Sequence, residues 1–312
     1  MARGGFDPIA ILKLFRFPLV FTAIADSAAG YLIASPAAMQ PGVMVLLACC
    51  SSGLYFFGMA LNDIADRERD RAIAPNRVLP SGRLSVTAAK IAAFSALAVS
   101  LGAMILIFDT PLLPRLMTWA LTVLFIVAYN LFLKIPPMMG LVRAFNLLLG
   151  VVGGRIITFD LSGKPWEYGI LAVPALVYVT SLTYVSTLED EIPSKRKVYF
   201  GTAMMGIGAL LAALAGTVVQ IVIHDATFTT SNVVKSASAL AFSFILTVAL
   251  FRRAAHAVDE KGVMLLVRDG VGGIILLDSA LLASCEDWIS GVMIASLLVP
   301  AALSVAVFKR LA

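Results

Sequence analysis

The chain has 312 residues, 60% of them hydrophobic and 14% charged, with a net charge of +5 and a mean hydropathy of +0.94. So apolar a balance rules out an ordinary water-soluble domain, and a modest positive charge on such a chain speaks for orientation in a bilayer, not for a nucleic-acid partner. Three cysteines, Cys49, Cys50 and Cys285, and two distant histidines, His224 and His256, offer neither a disulfide framework nor the ligand spacing of a zinc or haem site.

A helix that crosses a bilayer needs about 20 predominantly apolar residues. Ten stretches meet that length: 14–35, 43–62, 87–108, 115–134, 138–158, 168–188, 198–222, 233–252, 265–284 and 289–308. They predict an all-α, polytopic transmembrane bundle forming a single domain over 1–312, with nine or ten spans. The count turns on 265–284, which carries Arg268, Asp269 and Asp278 and reads either as a cavity-lining helix or as a partly re-entrant one. With the N-terminus placed inside, 20 of the 24 Lys and Arg residues fall to the inner side, leaving Arg115, Arg155, Lys164 and Lys235 outside. That asymmetry is the positive-inside pattern. It predicts a multi-pass protein of a bacterial cytoplasmic (inner) membrane, with N-terminus and active site facing the cytoplasm.

The first span runs into a turn at Ser35-Pro36 and then directly into the second, so it reads as an uncleaved targeting helix instead of a signal peptide. It carries Asp26. The second span ends in "ALNDIADRERDRAIAPNRVLPSGRLS", residues 60–85, with four acids and five arginines. If the helix continues through this stretch, taking Asp63 as origin puts Asp66 at about 300° and Asp70 at about 340°, on one face about 60° wide, with Glu68 on the other side. Three carboxylates so placed repel one another unless a cation lies among them. Magnesium suits oxygen ligands, and Asn62 adds an amide oxygen. Downstream, Arg77, Arg83 and Arg71 are placed to hold phosphate oxygens from another direction. Acids with a metal on one side and arginines on the other make a diphosphate clamp.

Further along, Arg143 and Asn146 sit inside the fifth span, and charged groups there are costly against lipid, so they should face the interior with Asp26 and Asp278. These four are candidates to touch an acceptor or to pair with one another. The sixth span ends in "YVSTLEDEIPSKRK", 184–197, an acidic place at the same end of the bundle as the first. A four-helix half repeated once would bring both to a shared central cavity that opens to the cytoplasmic face. Of the consecutive acids, Glu189 and Asp190 continue the face of Ser186, while Glu191 turns away.

The run Asn62, Asp63, Asp66, Asp70, followed by Asn76, Arg77, Pro80 and Gly82, resembles the first signature of the UbiA superfamily of intramembrane prenyltransferases. "RFPLVFTAIADSAAGYL" at 16–32 is similar to that family's opening helix, and "YNLFLKIPPMMG" at 129–140 to the end of its fourth, where a Lys, here Lys134, assists the diphosphate. The likeness covers most of the chain. It implies magnesium-dependent transfer of a prenyl group from an isoprenoid diphosphate to a small, aromatic acceptor, with Asn62, Asp63, Asp66 and Asp70 on one metal and Glu189 and Asp190 on another. The family's second motif is D-x-x-x-D, whereas Ser186 stands here in place of its first acid, so the second metal is held in a variant way or weakly. Transfer requires an allylic cation, for which aromatic faces are suited. Tyr55, seven residues before Asn62 and near its helix face, is the first choice, ahead of Tyr129, Phe145, Tyr178 and Tyr184. An isoprenoid-binding or transport protein would also want polar groups within a bundle, but has no need of two acid clusters at one mouth. A CDP-alcohol phosphotransferase is disfavoured, since its D-G-x-x-A-R lead-in is absent.

Overall fold

The computed structural model describes residues 7–35, 39–154, 166–190, 194–218 and 229–310, with the side chains of 166–168, 190, 309 and 310 outside that description. Every regular element within it is helical. Nine helices are long and apolar enough to cross a membrane, among the described residues. Helix α1 (Pro8–Leu14) starts on the Asp7 cap, and Arg16 then takes a left-handed conformation, φ 45°, that turns the chain through a 3₁₀ segment (Phe17–Leu19) into α2 (Val20–Ala34). Helix α3 (Pro41–Ala65) opens with Pro41 at its first turn, and short α4 (Arg67–Ile73) follows a bend at Asp66. Ser85 caps α5 (Val86–Ile105), and α6 (Leu112–Leu131) ends just before Lys134.

The second half repeats this order. It comprises α7 (Pro136–Gly154), α8 (Trp166–Ser186) with its 3₁₀ end (Thr187–Asp190), α9 (Lys195–Val218) and α10 (Thr230–Ala255). Thus α3 and α8, second helices of their halves, both run into acidic ends. Helices α2 and α7 pack along each other and join the halves, with α11 (Glu260–Cys285) enclosed by α8, α9, α10 and α2. The stretch 265–284 is therefore unbroken. It is one 26-residue helix whose charges, not its length, set it apart from the nine. The last stretch, expected as one span, is long and apolar enough to cross as one over Trp288–Phe308, with a short turn between α12 (Trp288–Ala295) and α13 (Leu298–Arg310). Asp287 caps α12, and the Ser290 backbone N–H donated to it holds that carboxyl below the usual range.

Arg115, expected on an outer loop, is buried and explains itself: its guanidinium donates to the carbonyls of Met104, Thr110 and Pro111, closing the orphaned end of α5. Arg155 and Lys164 lie outside the described residues.

Candidate active site

The bend at Asp66 changes the geometry that a continuous helix would give. Helix α3 ends at Ala65, and Asp66 takes φ −86°, ψ 0°, so the three acids are presented by two helices and the turn between them. Each meets a base from a different place in the chain. Asp63 receives Arg16 Nη2 at 3.2 Å, Asp70 receives Arg77 Nη1 at 2.6 Å, and Asp66 receives Lys134 Nζ. Asp63 and Asp70 are buried and lie within electrostatic reach of each other and of Arg77. One oxygen of Asp70, Oδ1, is buried with no hydrogen-bond partner. Among the described residues no three acidic, His or Cys side chains converge as a ready metal cluster.

The loop after α4 is folded, not free. Val78, Leu79 and Leu84 are buried in the core, and Gly82 adopts φ +75°, a conformation that glycine takes without cost. Those anchors hold Arg77 against Asp70. Arg83 instead binds its own loop, donating to the Asn76 carbonyl at 2.9 Å, and Arg71 pairs with exposed Glu68 at 2.6 Å. Asn62 is half-buried beside Asp63.

Sequence reasoning counted Arg16 only as an inside charge and missed its place here. Its carbonyl accepts from the Tyr55 hydroxyl at 3.3 Å while its guanidinium reaches Asp63. Phe15 and Phe17, on either side, both stack on Phe56, with ring centroids at 4.6 and 6.2 Å. The signal was available in "FRFP", an arginine between two aromatics just before a proline that starts a new helix.

Deeper in the bundle the four interior candidates come together. Arg143 Nη2 lies 2.8 Å from Asp26 Oδ1, and Asn146 Nδ2 lies 2.9 Å from Asp26 Oδ2. The Ser51 hydroxyl of α3 lies within hydrogen-bond distance of Asn146 Oδ1 and of the Ala23 carbonyl, with one proton to share between them. Asp278 of α11 lies against Asp26, and no donor reaches either of its oxygens. All five side chains are buried, so this is a core network, joined to the mouth by Tyr55, which feels both Arg143 and Asp63.

Among the other aromatics, Tyr178 is wholly buried with its hydroxyl on the Gly270 carbonyl at 2.9 Å, a core role. Tyr129 lies near Asp66, Phe145 packs on Phe125, and Tyr184 on Phe200. At the end of α8, Glu189 is half-buried and Ser186 donates back to the Thr183 carbonyl. The Asp190 side chain and Glu191 lie outside the description.

Comparison with known proteins adds three findings. The UbiA prenyltransferase family model matches residues 23–261. Digeranylgeranylglyceryl phosphate synthase of Methanocaldococcus jannaschii is 27% identical over 218 residues, which is 65% of this chain and 74% of that protein. Among solved structures, a digeranylgeranylglyceryl phosphate synthase superposes with a TM-score of 0.59 at 20% identity, covering 88% of this chain and 97% of that one. An Archaeoglobus fulgidus UbiA homologue bound to GPP and Mg2+ does so with a TM-score of 0.58 at 14% identity, covering 87% and 99%. At those identities the structural likeness speaks for the fold.

Proposed function

Because the chain belongs to the UbiA prenyltransferase family, we propose that it transfers a prenyl group from an isoprenoid diphosphate to a small, aromatic acceptor within the membrane, with magnesium, releasing diphosphate. The observation that carries this reading is the pairing of each acid of the first motif with a base from a distant element: Asp63 with Arg16, Asp66 with Lys134, Asp70 with Arg77. Magnesium takes one or two carboxylates and leaves positions for phosphate oxygens. Asp63 and Asp70, with the partnerless Asp70 Oδ1, fit that demand, and Asn62 and Asp66 flank them. Bound there, the metal would neutralise the leaving diphosphate.

The chain's own groups do the rest. Arg16, Arg77 and Lys134 already sit on carboxylates and can exchange them for phosphate oxygens without crossing the site. Arg83 and Arg71 border the same loop and complete the basic rim. Tyr55 presents an aromatic ring below the acids, where a developing allylic cation is stabilised without a nucleophile to capture it. Enclosure of that space by the bound donor and the surrounding helices would exclude water. Glu189 and Asp190 belong to the 3₁₀ end of α8 in the second half and would serve a second metal.

The test is mass spectrometry on the purified protein in lipid, given magnesium, a panel of prenyl diphosphates and an extract of host small molecules. A new prenylated mass that requires magnesium and is lost in Asp63→Asn is the expected result. Tight diphosphate binding with no product in any mixture would instead favour an isoprenoid-binding or carrier protein, the reading to which Ser186 in place of an acid points.

A further inference from the structure

Little of the last span, Trp288–Phe308, is buried, so its hold on the bundle rests on few contacts. Helix α12 packs along α11, whereas α13 leans on the bundle by one half-buried face, Ala301, Ser304, Val305 and Phe308, and meets the 3₁₀ turn Phe17–Leu19 more than any other element. There Phe308 stacks on Phe17 with ring centroids 6.1 Å apart, Phe17 on Phe56 at 6.2 Å and Phe56 on Phe15 at 4.6 Å, each plane within 20° of the next. Four rings thus form a column across the mouth, and Arg16 stands in sequence between two of them. Tyr55, whose hydroxyl holds the Arg16 carbonyl, is set edge-on to Phe56 at 5.8 Å.

The turn at Arg16 needs such support. Its φ of 45° is a conformation that a non-glycine residue holds only where its surroundings impose it. The seven-residue helix before it is too short to stand alone. Phe15, Phe17 and Phe56 belong to α1, the 3₁₀ turn and α3, so Phe308 is the one ring of the column supplied from elsewhere. It also lies beyond residue 261, where the family match ends, and the clamp of acids and bases gives it no role. Resting on the prenyl-transfer reading, in which Arg16 passes from Asp63 to a phosphate oxygen, we propose that Phe308 is a positioning residue for the donor: through Phe17 and Phe56 it fixes the turn at Arg16, and so the direction of its guanidinium. The reason is geometric. Stacked rings favour a few offset arrangements, so each ring limits where the next can lie, and a guanidinium fork binds phosphate well only when it is aimed. Arg77 and Lys134 are held on their own carboxylates by other parts of the chain, so losing the column weakens one arm of the clamp and leaves two in place.

The experiment measures magnesium-dependent binding of dimethylallyl, geranyl, farnesyl and geranylgeranyl diphosphates to the protein in nanodiscs, takes the tightest of them as the probe, and records the unfolding midpoint of each variant beside it. Phe308→Ala is expected to weaken binding about threefold to tenfold, the worth of one aromatic pair. Phe308→Leu, which keeps an apolar contact without the ring, should lose as much, and Phe308→Tyr should bind as the wild type does. In an Arg16→Gly background Phe308→Ala should change affinity by less than about twofold, because the group it positions is gone. Unchanged affinity in folded Phe308→Ala overturns the proposal, as does wild-type affinity in Phe308→Leu, which also decides the matter if the alanine variant does not fold. An equal loss with and without the Arg16 guanidinium overturns it as well, since Phe308 would then act elsewhere. Failure of the wild type to bind any of the four diphosphates would instead strike the prenyl-transfer reading itself, and the positioning role with it.

Discussion

Arg16 shows how much a single position can carry. It is the one non-glycine residue with positive φ among those described, and such a conformation costs of order 1–3 kcal/mol unless its surroundings impose it. Here they do, through the Tyr55 hydroxyl on its carbonyl, the Phe15 and Phe17 rings on Phe56, and Asp63 at its guanidinium. Arg16→Gly removes the strain with the charge, so it should leave the midpoint of thermal unfolding nearly unchanged while raising KM for the prenyl diphosphate about tenfold or more. A collapse of folding without a change in KM would make Arg16 purely structural. Asp63→Asn and Asp66→Asn should each abolish transfer in a folded protein, checked by product mass and by circular dichroism. Arg143 is the opposite case. Removing it alone, as Arg143→Met, strands Asp26 and should cost about 3–5 kcal/mol, whereas Asp26→Leu with Arg143→Met should cost markedly less, both read by unfolding in detergent.

Between helices, small residues decide how near the backbones come. Gly150→Ala drives a methyl into the Ser27 carbonyl and should destabilise by about 1–3 kcal/mol, because α2 and α7 must separate. Gly102 on α5 has nothing within 4 Å of the added methyl, so Gly102→Ala should be neutral or stabilising by up to about 1 kcal/mol. Equal effects from the two, measured by thermal unfolding, would show that this crossing is not a tight contact. The contrast also marks what could be read from residues alone. Spans, the charged end and the acids after α3 were legible because hydropathy and charge report on solvent directly. The bend at Asp66 was not, since the helical hydrogen bonds Asp66 N to Asn62 O and Asp70 N to Asp66 O continue through it and no Gly or Pro announces it. Arg16 escaped for a related reason: its partner Asp63 is 47 residues away, and only packing brings a turn to the mouth of another helix.

The position of α11 in the fold bears on the question that hydropathy left open. Three charged residues, Arg268, Asp269 and Asp278, keep it out of the set that composition alone identifies, yet its 26 residues make it about 39 Å long, enough to cross a hydrocarbon core. Its charges are placed accordingly. Asp269 pairs with both Arg268 and Arg253 at the end that carries the acids, whereas Asp278 lies at mid-depth against Asp26, away from lipid. Among the described residues, α11 counted with the nine apolar helices makes an even number of crossings, which predicts both termini on one side of the membrane. Reporter fusions at the N-terminus and after Ala312 should therefore report the same compartment, and that compartment should be the one into which the acids of α3 open. Opposite compartments would mean that α11 does not cross. The enclosed position of Asp278 against Asp26 would then have to be given up.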